Sequence, residues 1–182
     1  MALGGGTFIN QRKELPGAYI NFISANSASA NLSERGIATM PLELDWGMED
    51  EIFEVSSADF HEDSLKIFGY AYTQEKLKGL RDLFLNIKTL YAYKLTSGGV
   101  KASNTFAEAV YSGVRGNDIK ISIQKNADDS SKFDVKTIFD TTVVDTQTVT
   151  AAGDLVTNAF VKFKSGATLT VTAATPLTGG TN

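Results

Sequence analysis

The chain has no cysteine, which excludes disulfides, thiol nucleophiles and thiolate-held zinc. It has a single histidine, His61, in an acidic stretch that reads as helical. A catalytic base needs an oriented partner, so an isolated histidine there reads as surface. With one histidine and no Gly-x-Ser-x-Gly turn, a Ser-His-Asp arrangement has no footing. Nothing approaches the roughly 20 consecutive apolar residues that span a bilayer. No positively charged leader with an apolar core opens the chain, so no signal peptide is expected, and synthesis in the cytoplasm is. There is no basic excess either. The 17 Lys and Arg against 21 Asp and Glu leave a net charge of -4, whereas nucleic acid calls for a basic face.

The remaining chemistry is equally sparse. Gly4-Gly5-Gly6 lacks the lysine and preceding strand of a phosphate loop, and Gly113-Val114-Arg115-Gly116 reads as a turn. Asn126, Asp128 and Asp129 suggest calcium, but the glycine and distal glutamate of an EF-hand loop are missing. A hairpin turn is the simpler reading, since Asn and Asp tolerate left-handed backbone. No catalytic, cofactor-binding or metal-ligating residue is assigned, and an enzyme is not expected.

What is present is an ordinary folded composition, 42% hydrophobic and 21% charged, divided near Thr96-Ser97-Gly98-Gly99. Up to Ser97 there are nine Lys and Arg against thirteen Asp and Glu, and beyond it eight against eight. The acidic excess lies mostly between Glu43 and Asp63. This first part reads as α/β. Ile37 to Leu44 resembles a strand with an edge proline, Pro41, and Ile52-Phe53-Glu54-Val55 a short strand. Ser56 or Ser57 suits a helix cap, with Asp59 in the first turn. Leu65 to Gly69 reads as a helical turn closed by glycine. Leu77, Leu80, Phe84 and Ile87 follow helical spacing, so a helix is expected from about Gln74 to Lys88, capped by Thr73. A strand, Thr89 to Leu95, follows it.

From Gly98 onward Thr, Val, Ile and Ser dominate. Strands are expected at Thr105 to Tyr111, Ile119 to Gln124, Lys132 to Phe139, Thr142 to Val149, Phe160 to Phe163 and Thr168 to Val171. Gly116 to Asp118 and Asn126 to Ser130 read as turns, and Gly153 to Asn158 carries a faint helical signal. Short strands about 8 to 12 residues apart argue for a β-sandwich or barrel.

Two stretches suggest contacts with other chains. Behind the glycines and the polar run Asn10 to Glu14, Leu15-Pro16-Gly17 leads into Ala18, Tyr19, Ile20, Asn21, Phe22 and Ile23, a strand-favouring segment on a tether. A single strand must pair with a sheet edge, in its own chain or in a neighbour. Asp45-Trp46-Gly47-Met48 and the run Glu49, Asp50, Glu51 form the second candidate. Trp and Met are favoured at interfaces, though a buried Trp46 reads equally well, and an acidic run is commonly a solvated loop.

Several motifs together resemble one family. They are Met1 to Phe8 leading to Leu15-Pro16-Gly17-Ala18-Tyr19-Ile20-Asn21-Phe22; Arg35 to Leu42 followed by Leu44-Asp45-Trp46-Gly47; Leu65 to Tyr70; and Arg115-Gly116-Asn117-Asp118-Ile119. In this order they resemble the N-terminal portion of contractile tail sheath proteins, of the shorter type in phages, defective prophages and phage-tail-like bacteriocins of Gram-positive bacteria.

The resemblance implies an α+β fold: an extended arm over residues 1–23, a small α/β domain over 24–97 forming part of the sheath core, and an antiparallel β-sandwich over 98–175. Residues 176–182 then read as a linker to a C-terminal sheath domain outside this chain. It further implies a structural subunit that stacks in hexameric rings and a helical lattice around a tail tube, contracts on a baseplate signal, and needs no cofactor. Neither nucleic acid nor membrane is an expected partner, and the piece alone is expected to be a monomer. The arm, Ala18 to Ile23, would join neighbouring subunits. The alternative reading is a β-sandwich module that binds a receptor on a cell surface.

Overall fold

The computed structural model describes residues 36–96 and 98–182. The arm residues Ala18, Tyr19, Ile20, Asn21, Phe22 and Ile23 lie outside these. The first part is a three-stranded sheet with helices on one face. Strand β1 (Ile37–Leu42) runs parallel to β3 (Thr89–Lys94), and β2 (Ile52–Ser56) runs antiparallel to β3 on its other side. Pro41 falls on the edge strand, where its missing N–H costs no ladder bond. On β2 and β3 alternation turns Phe53, Val55, Leu90, Ala92 and Lys94 inward.

Helix α1 (Ser57–Glu62) starts at a reciprocal cap: the Ser56 hydroxyl accepts from the Asp59 N–H at 3.1 Å, and the Asp59 carboxylate accepts from the Ser56 N–H at 3.1 Å. Helix α2 (Ser64–Phe68) ends at Gly69, whose φ of 74° is the left-handed geometry that closes a helix. The helix expected over Gln74 to Lys88 is shorter than its apolar spacing suggests. A 3₁₀ turn (Glu75–Leu77) leads into α3 (Lys78–Phe84), and Thr73 does not cap it. Arg81 instead donates to the Tyr72 and Gln74 carbonyls, each at 2.6 Å. Phe60, Phe68, Leu77, Leu80 and Leu90 fill the core beneath the sheet.

The second part holds a four-stranded antiparallel sheet, β7-β6-β5-β9, and a two-stranded one, β4-β8. The strands are β4 (Ala107–Ala109), β5 (Ile119–Lys125), β6 (Phe133–Phe139), β7 (Thr142–Val149), β8 (Val161–Phe163) and β9 (Thr172–Pro176). Ala107, Ala109 and Val161 from the small sheet share one core with Ile119, Ile121, Ile123, Val135 and Phe139 from the large one. The whole is α+β, as the sequence implies.

Other expected elements differ in extent or kind. Strand β4 is only three residues long, because the Asn104 side chain takes the Phe106 and Ala107 N–H groups, both at 2.9 Å, and turns the chain first. Residues 116–118 sit in a 3₁₀ turn, Val114–Asp118. The strand expected at Thr168 to Val171 is displaced to β9, whose pairing with β5 carries a bulge, while Leu169 still packs against the sandwich core. The faint helix near Gly153 is a 3₁₀ turn, Ala152–Asp154. Of residues 176–182, expected as a linker, Pro176 ends β9 and the rest lie against this part. Leu177 is fully buried, and the Gly180 N–H donates to the Asn117 side chain at 2.8 Å.

Candidate assembly surfaces

The segment from Asp45 to Glu51 is where sequence pointed to contacts, and the structure separates its members. Trp46 is 0% exposed, so it serves the fold and is withdrawn as an interface anchor. Its ring lies in the core of the second part, 5.3 Å from Tyr111 and 5.7 Å from Phe139, edge-on to both. Its indole N–H donates to the Lys66 carbonyl of α2 at 3.0 Å. Met48 is half-buried against the first core. Glu49 accepts from Lys94 Nζ at 2.8 Å and from the Ser112 hydroxyl. Within this segment Asp50 and Glu51 stand exposed, and Asp50 has a φ of 59°.

Sequence reasoning missed two cations at this junction. Lys94 ends β3 with its side chain 0% exposed, and the Ser112 carbonyl accepts from it at 3.1 Å. A signal was available: period-two alternation sets Lys94 on the inward face with Leu90 and Ala92, and a lysine there requires an acceptor. Arg115 donates to the Gly69 carbonyl at 2.9 Å, to Asp118 at 2.6 Å and to Asp140 at 2.6 Å. Its guanidinium lies 4.6 Å from the Tyr70 ring centre and 4.8 Å from that of Phe139.

Asp45 accepts from the Tyr70 hydroxyl at 2.6 Å and the Asn182 amide at 2.9 Å. Burial alone would raise its pKa, but these bonds and Lys76 together hold it below the ordinary value. Burial first, then the bond to Asp45, pushes the Tyr70 phenol up to about 12.

The outer face of the three-stranded sheet is open among the described residues. Ile37 is 62% and Ile52 68% exposed, and Pro41, Tyr93 and Ile52 pair across the three strands as an apolar row. A shallow depression of about 170 Å³ lies there, lined by Thr39, Pro41, Ile52, Tyr91 and Tyr93. A second cleft, about 190 Å³, lies on the helix side of β1, lined chiefly by Met40, Leu42, Leu44, Leu77 and Leu80. Among the described residues, strands β1 and β2 are both edges. Pro41 removes an amide from β1, whereas β2 keeps all of its own.

His61 is exposed on α1, its ring 4.6 Å from that of Tyr72. Among the described residues no cluster of His, Cys, Asp and Glu could hold a metal ion, and no helix is long and apolar enough to cross a membrane.

The described residues form a layered α/β sheet followed by a sandwich-like pair of sheets, and comparison gives the family of this fold. Residues 94–182 match the phage tail sheath protein beta-sandwich domain, and residues 35–95 match the tail sheath protein Gp18 domain III N-terminal region. The chain belongs to the phage tail sheath family, which is structural and not enzymatic.

It is 39% identical to the phage-like element PBSX protein XkdK of Bacillus subtilis, over 97% of this chain and 38% of that protein. YqbK of the same organism is 38% identical over the same shares. The crystal structure of a sheath tail protein from Desulfitobacterium hafniense superposes with a TM-score of 0.72 at 37% identity, covering 91% of this chain and 39% of that one. For the sheath tail protein Lin1278 of Listeria innocua the values are 0.71 and 34%, covering 80% and 34%. The chain thus spans 38% of the length of the curated relatives it matches.

Proposed function

We propose that this chain is the N-terminal part of a contractile tail sheath subunit. It would polymerise with copies of itself around a tail tube and, on a baseplate signal, shorten to drive the tube through a bacterial envelope. The observation that carries this reading is the order of two sheath segments, 35–95 and then 94–182, in one chain. Contraction needs a free-energy difference between two lattices. With no nucleotide site assigned, better contacts between subunits in the shorter lattice would supply it.

Subunits must stay joined while their faces repack. A strand added to a neighbour's sheet does this, because its backbone bonds persist while the chain leading to it turns. Ala18 to Ile23 is the strand we assign to that role, with Gly4 to Glu14 as its leader. The open sheet explains why such a donor suits this fold: β2 offers a full edge, and the apolar row Pro41-Tyr93-Ile52 needs cover. The sandwich would face outward from the tube.

Electron microscopy of the full-length gene product tests the reading. Long hollow tubes or stacked rings support it. Monomers that instead bind glycans or cell surfaces through the sandwich would favour a receptor-binding module.

A further inference from the structure

We infer that residues 36–96 and the sandwich form one mechanical body, keyed together by Trp46, so that load on the sandwich reaches the three-stranded sheet without a hinge. Domains joined by a linker move relative to each other by default, and the two family matches divide the chain at residues 94 and 95. The contacts across that division have a different character.

Trp46 follows β1, yet its ring is buried among Tyr111, Phe139 and Phe160 of the sandwich. The same ring holds the Lys66 carbonyl through its N–H, so one side chain belongs to both parts. Arg115 crosses in the other direction, from the sandwich to the Gly69 carbonyl. Lys94, at the end of β3, is locked between Glu49 and Ser112. Gly113 packs so closely that a Cβ there would overlap the Asp45 carbonyl.

The C-terminal segment also reaches across: the Asn182 amide donates to the Asp45 carboxylate at 2.9 Å, and that segment is bonded to residues 100–103, which follow the division. Val100 and Thr181 exchange N–H to carbonyl bonds of 3.1 and 3.0 Å, and Ser103 and Thr178 exchange bonds of 2.9 and 3.0 Å. A hinge here would have to break the Asn182 and Arg115 contacts, the Lys94 bonds and the Trp46 socket together. The inference concerns this chain alone and stands whatever the sandwich meets.

The test uses the whole chain. Trp46 is its single tryptophan, so indole emission reports the junction alone. Urea unfolding is followed by that emission and by hydrogen exchange at Leu90 and Ala92 in β3 and Ile121 and Val135 in the sandwich. One body requires the same midpoint and slope from every probe, and an equal midpoint shift at every probe in Arg115→Ala. Different midpoints for β3 and the sandwich, or a variant that loosens one and spares the other, would overturn it. If Arg115→Ala does not fold, Arg115→Lys is held to the same standard.

Discussion

Replacing Glu49 by glutamine removes the carboxylate bonded to the buried Lys94. Lys94 is 0% exposed at its side chain and Glu49 23%, with 2.8 Å between Nζ and Oε1. Glutamine keeps the shape and one acceptor oxygen but not the charge. Breaking a buried pair by removing one partner costs about 3–5 kcal/mol, chiefly because the other charge is stranded. Glu49 retains contact with water, which moderates the interaction, so we expect ~2–3 kcal/mol. For a chain of this size that lowers Tm by roughly 5–10 °C. Lys94→Met leaves a carboxylate that can hydrate and should cost less, ~1 kcal/mol. The double variant Glu49→Gln with Lys94→Met should be more stable than Glu49→Gln alone, because no charge is then stranded. Calorimetric melts of all three variants at neutral pH read the cycle directly. If Glu49→Gln melts with the parent, or the double variant is no better than Glu49→Gln, the stranded-charge reasoning is wrong.

Four further outcomes follow from the same contacts. Gly113→Ala, at φ 131° and against the Asp45 carbonyl, should cost several kcal/mol, whereas Gly79→Ala, with open space around its Cβ, should gain about 0.5–1 kcal/mol; circular dichroism melts compare them. The Tyr70 phenol lies above its unfolded value of 10 in the folded state, at about 12. Its contribution is complete below pH 10 and is lost as pH rises through 12. Asp45 is shifted the opposite way, so its share is complete above 3.8 and is lost as pH falls below that. Tyr70→Phe should therefore flatten the alkaline fall in urea midpoint; an unchanged fall between pH 10 and 12 would remove Tyr70 from it. In the full-length protein, deleting residues 1–23 should abolish sheath formation and leave the monomer's melt intact, as sedimentation and calorimetry would record. Reversing charge at Asp50 and Glu51, which are exposed, should slow assembly more at low salt than at high salt, and light scattering indifferent to the change would count against an acidic docking face.

The parts legible in sequence were those whose signals are local. The Ser56 to Asp59 cap, the glycine closing α2, and the edge proline of β1 each lie within a few positions of the element they define. Helix α3 was overextended because Leu77, Phe84 and Ile87 keep helical spacing even where the backbone is a 3₁₀ turn or a connection. The last strand was misplaced because Leu169 packs against the sandwich core from outside β9. The junction was hidden for a different reason. Glu49, Lys94 and Ser112 meet, and Arg115 reaches the Gly69 carbonyl, only after the sheet and the sandwich are assembled, and each alone resembles an ordinary surface residue. The exposed row Pro41-Tyr93-Ile52 was hidden likewise, since it comes from three strands and appears only across the sheet.

The central claim is that this chain supplies the joining arm and body of a sheath subunit, and a cryo-electron microscopy map of the assembled full-length protein tests it most directly. The account predicts a helical sheath in which Ala18 to Ile23 lies as an added strand on the sheet of a neighbouring subunit, with the sandwich on the outer surface. A sheath with that segment folded onto its own subunit, or with the sandwich against the tube, would contradict it.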